Sequence, residues 1–176
     1  MIYPIYTYGE DVLRKKAEDV NLDDPKLSAL IEDMFTTMRI AKGAGLAAPQ
    51  IGISKKIVVV DEEISDGVLF KAVFLNPKII SYGDYYLSMI EGCLSFPDMQ
   101  GYVIRPNSID VEWYDENKNY HRELISNIKS RIIQHEVDHL NGTLYIDRMD
   151  PEDKMKLFFH IQNIKNKKVK TLYEIK

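Results

Sequence analysis

The sequence predicts a fold of α-helices and mainly antiparallel β-sheets, with one helix buried among the sheets. Between Lys56 and Leu124, strand-like segments follow one another without intervening helices, which is typical of antiparallel sheets. Apolar residues recur at helical spacing on either side of this region, and the helix directly after it carries two histidines on its apolar stripe.

The helices have recognisable starts and stops. After a short helical turn within Val12–Ala17, a helix is expected over Pro25–Ala41, with Gly43 as its stop. Ser126 is the expected cap of the histidine-bearing helix, which should end at Asn141-Gly142. Proline and acidic residues after Asp150 open a C-terminal helix to about Lys167.

The strands are short segments rich in β-branched and aromatic residues. Asn76-Pro77 is expected to stop the second strand, and Gly83-Asp84 marks a turn. The predicted strands are Ile57–Val60, Phe70–Leu75, Lys78–Ser81, Tyr85–Ile90, Val103–Arg105, Ser108–Tyr114 and Tyr120–Leu124.

Composition limits the possible partners and locations. With 176 residues, 45% of them hydrophobic, the chain suits one domain over residues 1–176 with a sizeable core. A net charge of −4 provides no global basic field, so neither DNA nor a membrane is expected as a partner. No signal-peptide pattern or membrane-length apolar run is present, and the lone cysteine, Cys93, favours a reducing compartment. We therefore expect a soluble, cytoplasmic protein.

The helix after the strands contains His135-Glu136-Val137-Asp138-His139. Residues four apart lie on one helix face, so both histidines can bind the same metal ion, while Glu136 is placed to transfer protons. The simpler alternative makes the two histidines core residues satisfied by hydrogen bonds. It accounts less well for a pair of histidines that flanks a glutamate.

A catalytic metal site usually takes three ligands from the protein. Cys93, between Gly92 and Pro97, is a competent third ligand as a thiolate, although a lone buried cysteine is often only a small core residue. Spacing alone leaves Glu152 and His160 open as alternatives. His121 has no comparable neighbours in the sequence, and both His121 and His160 are otherwise expected at the surface.

Small residues dominate the segment from Gly43 to Gly52, which has neither a helical nor a strand period. They allow a ligand or another backbone to approach closely, and Pro49 restrains Gln50 so that its amide can point at a bound group. The simpler interpretation is a tight glycine turn. The segment is not a phosphate-binding loop, because it lacks the Lys-Ser/Thr ending.

Three segments together resemble the peptide deformylase family. They are Gly43-x-Gly45-Leu46-Ala47-Ala48-Pro49-Gln50, Glu91-Gly92-Cys93-Leu94-Ser95 and Gln134-His135-Glu136-x-Asp138-His139-Leu140-x-Gly142. The resemblance covers nearly the whole chain without a departure at any motif position. It implies an α+β fold with mixed, mainly antiparallel sheets around the central His-Glu-x-x-His helix, and it favours Cys93 as the third ligand.

The resemblance also implies an activity, which is removal of the formyl group from the N-terminal formylmethionine of new polypeptides. Glu136 would move the proton, and the Leu94 N–H and the Gln50 amide would stabilise the developing oxyanion. Met89, Ile128 and Ile132 would line the methionine pocket, and Gly45 would offer backbone hydrogen bonds to the peptide. An ion pair between Glu91 and Arg105 would support the cysteine loop.

The metal and the cellular partners are less determined. Ligand softness favours zinc for a Cys-His-His site, whereas the resemblance implies Fe(II) in the cell, with nickel or cobalt also tolerated. The substrates would be formyl-Met nascent peptides, and the C-terminal helix with its lysine tail is a possible ribosome contact. A solvated helix end is the simpler interpretation of that tail. Two rival functions are a zinc endopeptidase and a non-catalytic structural metal module closed by four protein ligands.

Overall fold

Five strands form one antiparallel sheet, and two more form a separate hairpin, in a computed structural model that describes residues 1–176. The strands are β1 (Gly45–Ala47), β2 (Ile57–Ser65), β3 (Val68–Tyr82), β4 (Tyr86–Cys93), β5 (Phe96–Pro106), β6 (Ser108–Tyr114) and β7 (Tyr120–Ser126). The large sheet has the order β1-β2-β3-β6-β7, and β4 pairs with β5. Every strand pair is antiparallel, and parallel pairing is confined to two isolated bridges, Ile5–Ile175 and Glu18–Lys55. The prediction of mainly antiparallel sheets is confirmed.

Four helices accompany the sheets: α1 (Leu27–Ile40), α2 (Asn127–Leu140), α3 (Pro151–Lys156) and α4 (Phe158–Lys165). The predicted C-terminal helix is therefore interrupted at Leu157, whose φ of −94° and ψ of 4° depart from helical values. Asp150 caps α3 as expected, because its side chain accepts a hydrogen bond of 2.8 Å from the Glu152 N–H. No helix in the chain combines the length and apolar character needed to span a bilayer.

The expectation that Asn76-Pro77 stops a strand is wrong. β3 runs through both residues, and the predicted strand at Lys78–Ser81 is its second half. Asn76 adopts a positive φ of 51° where the register with β6 shifts. Its side chain binds the Val20 N–H and carbonyl at 2.8 and 3.0 Å. A bulge of this kind tolerates a proline, since no ladder N–H is required there.

β2 is buried on both faces, which explains its uninterrupted apolar start. Ile57 and Val59 pack with α1 in one core cluster, and Val58 and Val60 pack with α2 in another. A strand covered on both sides needs apolar residues at consecutive positions rather than alternating ones. The large sheet therefore lies between α1 and α2, and α2 is buried as the sequence predicts.

The two ends of the chain pair with each other. The Ile5 N–H donates to the Glu174 carbonyl at 2.8 Å, and the Lys176 N–H donates to the Ile5 carbonyl at 2.9 Å. Lys167 is engaged as well, because its Nζ lies 2.9 Å from Glu10 Oε1. The C-terminal segment is thus docked on the N-terminal one and is not a free basic tail.

Candidate active site

The helix α2 presents the histidines because its end is fixed. It follows Ser126, which is extended but makes no side-chain cap, and it stops at Asn141 before Gly142. Gly142 has a φ of 71°, and a Cβ there would lie 2.4 Å from the Arg14 carbonyl oxygen. Glycine accommodates both the positive φ and the close approach of the Arg14 backbone, because it has no Cβ. His139 thus lies in the last turn of a helix whose end is fixed by the contact at Gly142.

Cys93, His135 and His139 converge, although β4 carries the first and α2 the other two. Their ligand atoms all lie within 4.8 Å of one another, and Cys93 Sγ is 3.2 Å from His139 Nε2. A tetrahedral metal ion with ordinary Zn–S and Zn–N bonds would need its donors about 3.5 Å apart. The donor set therefore fits one metal ion with three protein ligands.

The two imidazole rings differ in their electrostatics. Burial would lower the pKa of His135, but its hydrogen bonds to Cys93 and Glu91 outweigh burial and raise it, so these surroundings favour positive charge at the site. Burial lowers the pKa of His139 well below its usual range, which keeps that ring neutral and able to act as a ligand. Both effects suit a bound cation.

Glu136 lies beside the ligands and is buried. Burial is the main cause that raises its pKa to about 7, a value suited to proton transfer near neutral pH. Its Oε2 is buried without a hydrogen-bond partner within the protein, so one oxygen remains available to a bound molecule. A Cβ on Gly45 would lie 2.6 Å from Glu136 Oε1. The glycine of the small-residue segment therefore makes room for this carboxylate.

Gln50 is held in one orientation. It lies in a short 3₁₀ turn, Ala48–Ile51, and its Oε1 accepts a hydrogen bond of 2.9 Å from the Ala47 N–H. This bond assigns the amide nitrogen to the opposite side. There, Nε2 donates to Ser95 Oγ at 3.2 Å and lies 3.5 Å from Cys93 Sγ. Gln50 is thus a donor that points at the ligand cluster.

Glu91 lies at the centre of a buried network of charges. Arg105 binds it through two nitrogens at 2.6 and 3.0 Å, and Arg131 Nη1 binds it at 2.8 Å. Glu91 Oε2 also lies 2.8 Å from His135 Nδ1, which directs the other ring nitrogen toward the metal site. Burial would raise the pKa of Glu91, but the hydrogen bonds from His135 and Arg105 hold it well below its usual range.

Asp138 extends this network. It accepts hydrogen bonds from Arg105 at 2.7 Å and from two nitrogens of Arg148, both at 2.6 Å. Sequence reasoning missed Arg131, Arg148 and the role of Asp138. The sequence does hold one signal for Arg131, which lies four residues before His135 and therefore shares its helix face.

A pocket of about 1070 Å³ opens onto these groups and is lined by 25 residues, 11 of them hydrophobic. Its lining includes most of the predicted site residues, namely Gly45, Gln50, Glu91, Cys93, Leu94, Ile128, Ile132, His135 and Glu136. The pocket combines apolar walls with convergent polar groups, as expected of a site for a small substrate.

Met89 does not line the pocket, contrary to the expectation from the motif. Arg131 lines it instead and binds this part of the hairpin, because its guanidinium donates to the carbonyls of Leu87 and Val103 at 2.6 and 2.9 Å. Val103 is the residue paired with Met89 across the hairpin. The apolar side chains that β4 and β5 contribute to the pocket lining are those of Ile90, Phe96, Pro97 and Met99.

The alternative third ligands lie outside the cluster. Glu152 is exposed in the first turn of α3, and His160 Nε2 lies 3.2 Å from the Pro97 carbonyl. His121 stacks on Trp113 and lies 2.8 Å from Asp115. Both histidines are half-buried with protein partners and are not plain surface residues. Cys93 is the one candidate that the fold brings to His135 and His139.

Comparisons with known proteins agree with this geometry. A family model described as polypeptide deformylase matches residues 2–155. The peptide deformylase of Chlorobaculum parvum is 43% identical over 177 residues, which cover 99% of this chain and 94% of the relative. The peptide deformylase of Chlorobium phaeobacteroides is 40% identical over 177 residues, which cover 99% of this chain and 95% of the relative.

Solved structures give the same result. The peptide deformylase of Plasmodium falciparum, in complex with an inhibitor, has a TM-score of 0.82 at 40% identity and covers 91% of this chain and 97% of that chain. A plant peptide deformylase has a TM-score of 0.88 at 32% identity, and the match covers 94% of this chain and 90% of the plant chain.

Proposed function

The chain belongs to the peptide deformylase family of metallohydrolases, and from this premise we propose that Cys93, His135 and His139 hold its single catalytic metal ion. Its reaction is hydrolysis of the formamide bond of formyl-Met peptides, which releases formate and a free amino terminus. The convergence of a thiolate and two imidazoles beside the buried carboxylate of Glu136 is the observation that carries this assignment. When bound, the metal ion polarises the formyl group and lowers the pKa of water at the site.

Glu136 acts as the general base and then as the general acid in this proposal. With a pKa near 7 in the protein, it can take a proton from water and return it to the departing amine. Gln50 Nε2 and the Leu94 N–H are the proposed donors to the oxygen of the formyl group as that oxygen gains charge. Gln50 is supported by its fixed amide orientation, and Leu94 by its position directly after Cys93.

The methionine side chain enters the apolar part of the pocket in this proposal. Ile128 and Ile132 lie one turn apart on α2 and line that part. Gly45 of β1 also lines the pocket, and its backbone is available to the substrate peptide. Glu91 and Arg105 support the cysteine loop through their paired hydrogen bonds. Met89 is not part of the proposed pocket.

Release of formate from a formyl-Met dipeptide is the direct test, with an acetyl-Met dipeptide as the blocked, unformylated control. Glu136→Gln serves as the matched variant, since it keeps the size of the side chain and removes the base. We expect a folded, metal-loaded variant with a rate reduced on the order of 10²- to 10⁴-fold. Unchanged deformylation by this variant would refute the proposed role of Glu136.

We propose Fe(II) as the metal in the cell, in preference to zinc, nickel or cobalt. The proposal rests on family membership, because the softness of a Cys-His-His donor set by itself favours zinc. Metal analysis of anaerobically purified protein, together with activity after each metal is restored, tests it. Full activity with zinc alone would refute it.

The remaining proposals concern the cellular setting. We propose that residues 1–176 act as one catalytic domain, which is supported by the large sheet and by the pairing of the two chain ends. We also propose a cytoplasmic location, because a lone cysteine suits a reducing compartment. A ribosome contact would use the exposed lysines of the C-terminal region, Lys165, Lys168 and Lys170. Replacing these three with glutamate should weaken ribosome binding in a salt-sensitive way, and unchanged binding would dismiss the contact.

A further inference from the structure

The turn that follows the ligand cysteine has an unusual geometry for its position. Cys93 and Phe96 pair across the β4–β5 hairpin, so Leu94 and Ser95 are its two connecting residues. Two-residue hairpin turns prefer types with positive φ, because these match the twist of the strands. Neither Leu94 nor Ser95 has a positive φ. The turn therefore depends on contacts outside the hairpin to hold its shape.

The central peptide of this turn joins Leu94 to Ser95 and carries the Leu94 carbonyl. It makes no pairing with the opposite strand, so the Leu94 carbonyl depends on another donor. Tyr173 provides one, since its hydroxyl donates to the Leu94 oxygen at 2.8 Å.

The neighbouring residue of the turn is also held from outside. The Tyr8 N–H donates to the Ser95 carbonyl at 3.0 Å, and Gln50 Nε2 donates to Ser95 Oγ. Tyr8 belongs to the N-terminal segment and Tyr173 to the C-terminal one. These two segments pair with each other at Ile5 and Ile175. The two ends of the chain thus form one support behind the turn.

The C-terminal part of this support also reaches the substrate pocket. Residues 170–173, here called the strap, line the pocket together with Leu94. The strap lies outside residues 2–155, the part of the chain matched by the family model. Tyr173 is half-buried and packs with Leu94 against the α1 core cluster. Its ring and hydroxyl therefore have a fixed place beside the turn.

We propose that Tyr173 is a positioning residue of the active site, whose hydroxyl holds residue Leu94 by its carbonyl and so keeps the Leu94 N–H in place beside the ligand Cys93. The inference rests on the proposed role of Leu94 as an oxyanion donor. The Leu94 N–H lies on the preceding Cys93–Leu94 peptide and shares its Cα with the carbonyl that Tyr173 holds. Loss of the Tyr173 hydroxyl therefore lets residue Leu94 shift as a whole, so that its N–H spends less time in the productive orientation. The effect belongs to the transition state, because the oxyanion forms only there.

The test compares Tyr173→Phe with Tyr85→Phe, a control at an exposed tyrosine outside the pocket lining. A net hydrogen bond of ordinary strength corresponds to a loss of about fivefold in kcat. We expect this loss in Tyr173→Phe with KM unchanged, with one metal ion per chain retained and with no such loss in the control. Tm and metal content, measured on the same preparations, separate positioning from simple destabilisation.

Three results would overturn the role of Tyr173. They are an unchanged kcat, a rise in KM at constant kcat, and a loss of kcat in proportion to lost metal. The wild-type protein, assayed in parallel, separates this inference from the proposed function. Absence of formate release by the wild type would refute the function itself, whereas equal kcat in wild type and variant would refute only the positioning role.

Discussion

The contact between Gly45 and Glu136 gives a sharp test of the site geometry. A Cβ on Gly45 would lie 2.6 Å from Glu136 Oε1 and 3.0 Å from both Cδ and Cγ. Gly45 cannot retreat easily, because β1 pairs with β2 through Val60. Ordinary contact between such atoms needs about 3.5 Å. In Gly45→Ala, the Glu136 carboxylate must therefore move by roughly 1 Å.

A displacement of this size at a catalytic group costs on the order of 10²-fold in rate, or about 2.7 kcal/mol of barrier. We expect Gly45→Ala to lose this much kcat in the formate-release assay. Metal content should stay at one ion per chain, because Cys93, His135 and His139 are not the atoms in collision. The change in KM should be small by comparison, since alanine keeps the backbone groups of residue 45.

Gly67→Ala is the matched control. Nothing lies within 4 Å of the Cβ position at Gly67, which forms the turn between β2 and β3. Its φ of +72° predicts a stability loss of about 1 kcal/mol with kcat unchanged. Wild-type kcat in Gly45→Ala would refute the placement of Glu136 against β1. Loss of the metal in that variant would show that the collision is relieved at the ligands instead.

Three further substitutions test other parts of the structure. Cys93→Ala should abolish both metal binding and formate release, and a variant that retained metal and cleaved peptides would favour the endopeptidase alternative. Glu91→Gln should lower the free energy of unfolding of metal-free protein by about 3 kcal/mol at pH 7, because it removes the buried negative charge that Arg105 and Arg131 both bind. Because folding depresses the pKa of Glu91, its charge stabilises the fold above the unfolded pKa of 4.5, and this stabilisation is lost as pH falls below that value. The difference in unfolding free energy between wild type and variant should therefore narrow in acid. A difference that does not change with pH would contradict the reasoning. Asn76→Ala should lower Tm by about 5 °C with kcat unchanged, as it removes two hydrogen bonds at a positive φ, and an unaltered Tm would contradict the bulge assignment.

The strands and helices were predictable where local sequence and tertiary environment agree. The Ile57–Val60 run predicts a buried strand, and the structure covers it on both faces. Prediction failed at Asn76-Pro77, because the contact that holds the bulge comes from Val20, which is distant in the sequence. It also missed β1, since small residues carry no strand period and pair there only because β2 lies alongside.

The candidate site shows the same division between local and distant information. His135 and His139 were identifiable as a pair because the geometry of one helix fixes their separation. Cys93 could not be chosen over Glu152 or His160 by spacing alone, since its position relative to α2 depends on how the β4–β5 hairpin docks. The resemblance to the peptide deformylase family favours Cys93 independently of this docking.

The sequence by itself determined that the chain combines helices with antiparallel sheets and carries a metal-binding pair beside a carboxylate, because these properties depend on residues close together in the chain. Only the tertiary structure decided which atoms meet across distant segments. It joins Glu91 to Arg131, Gly45 to Glu136 and Leu94 to Tyr173. These contacts depend on long-range packing, which no local pattern of residues encodes.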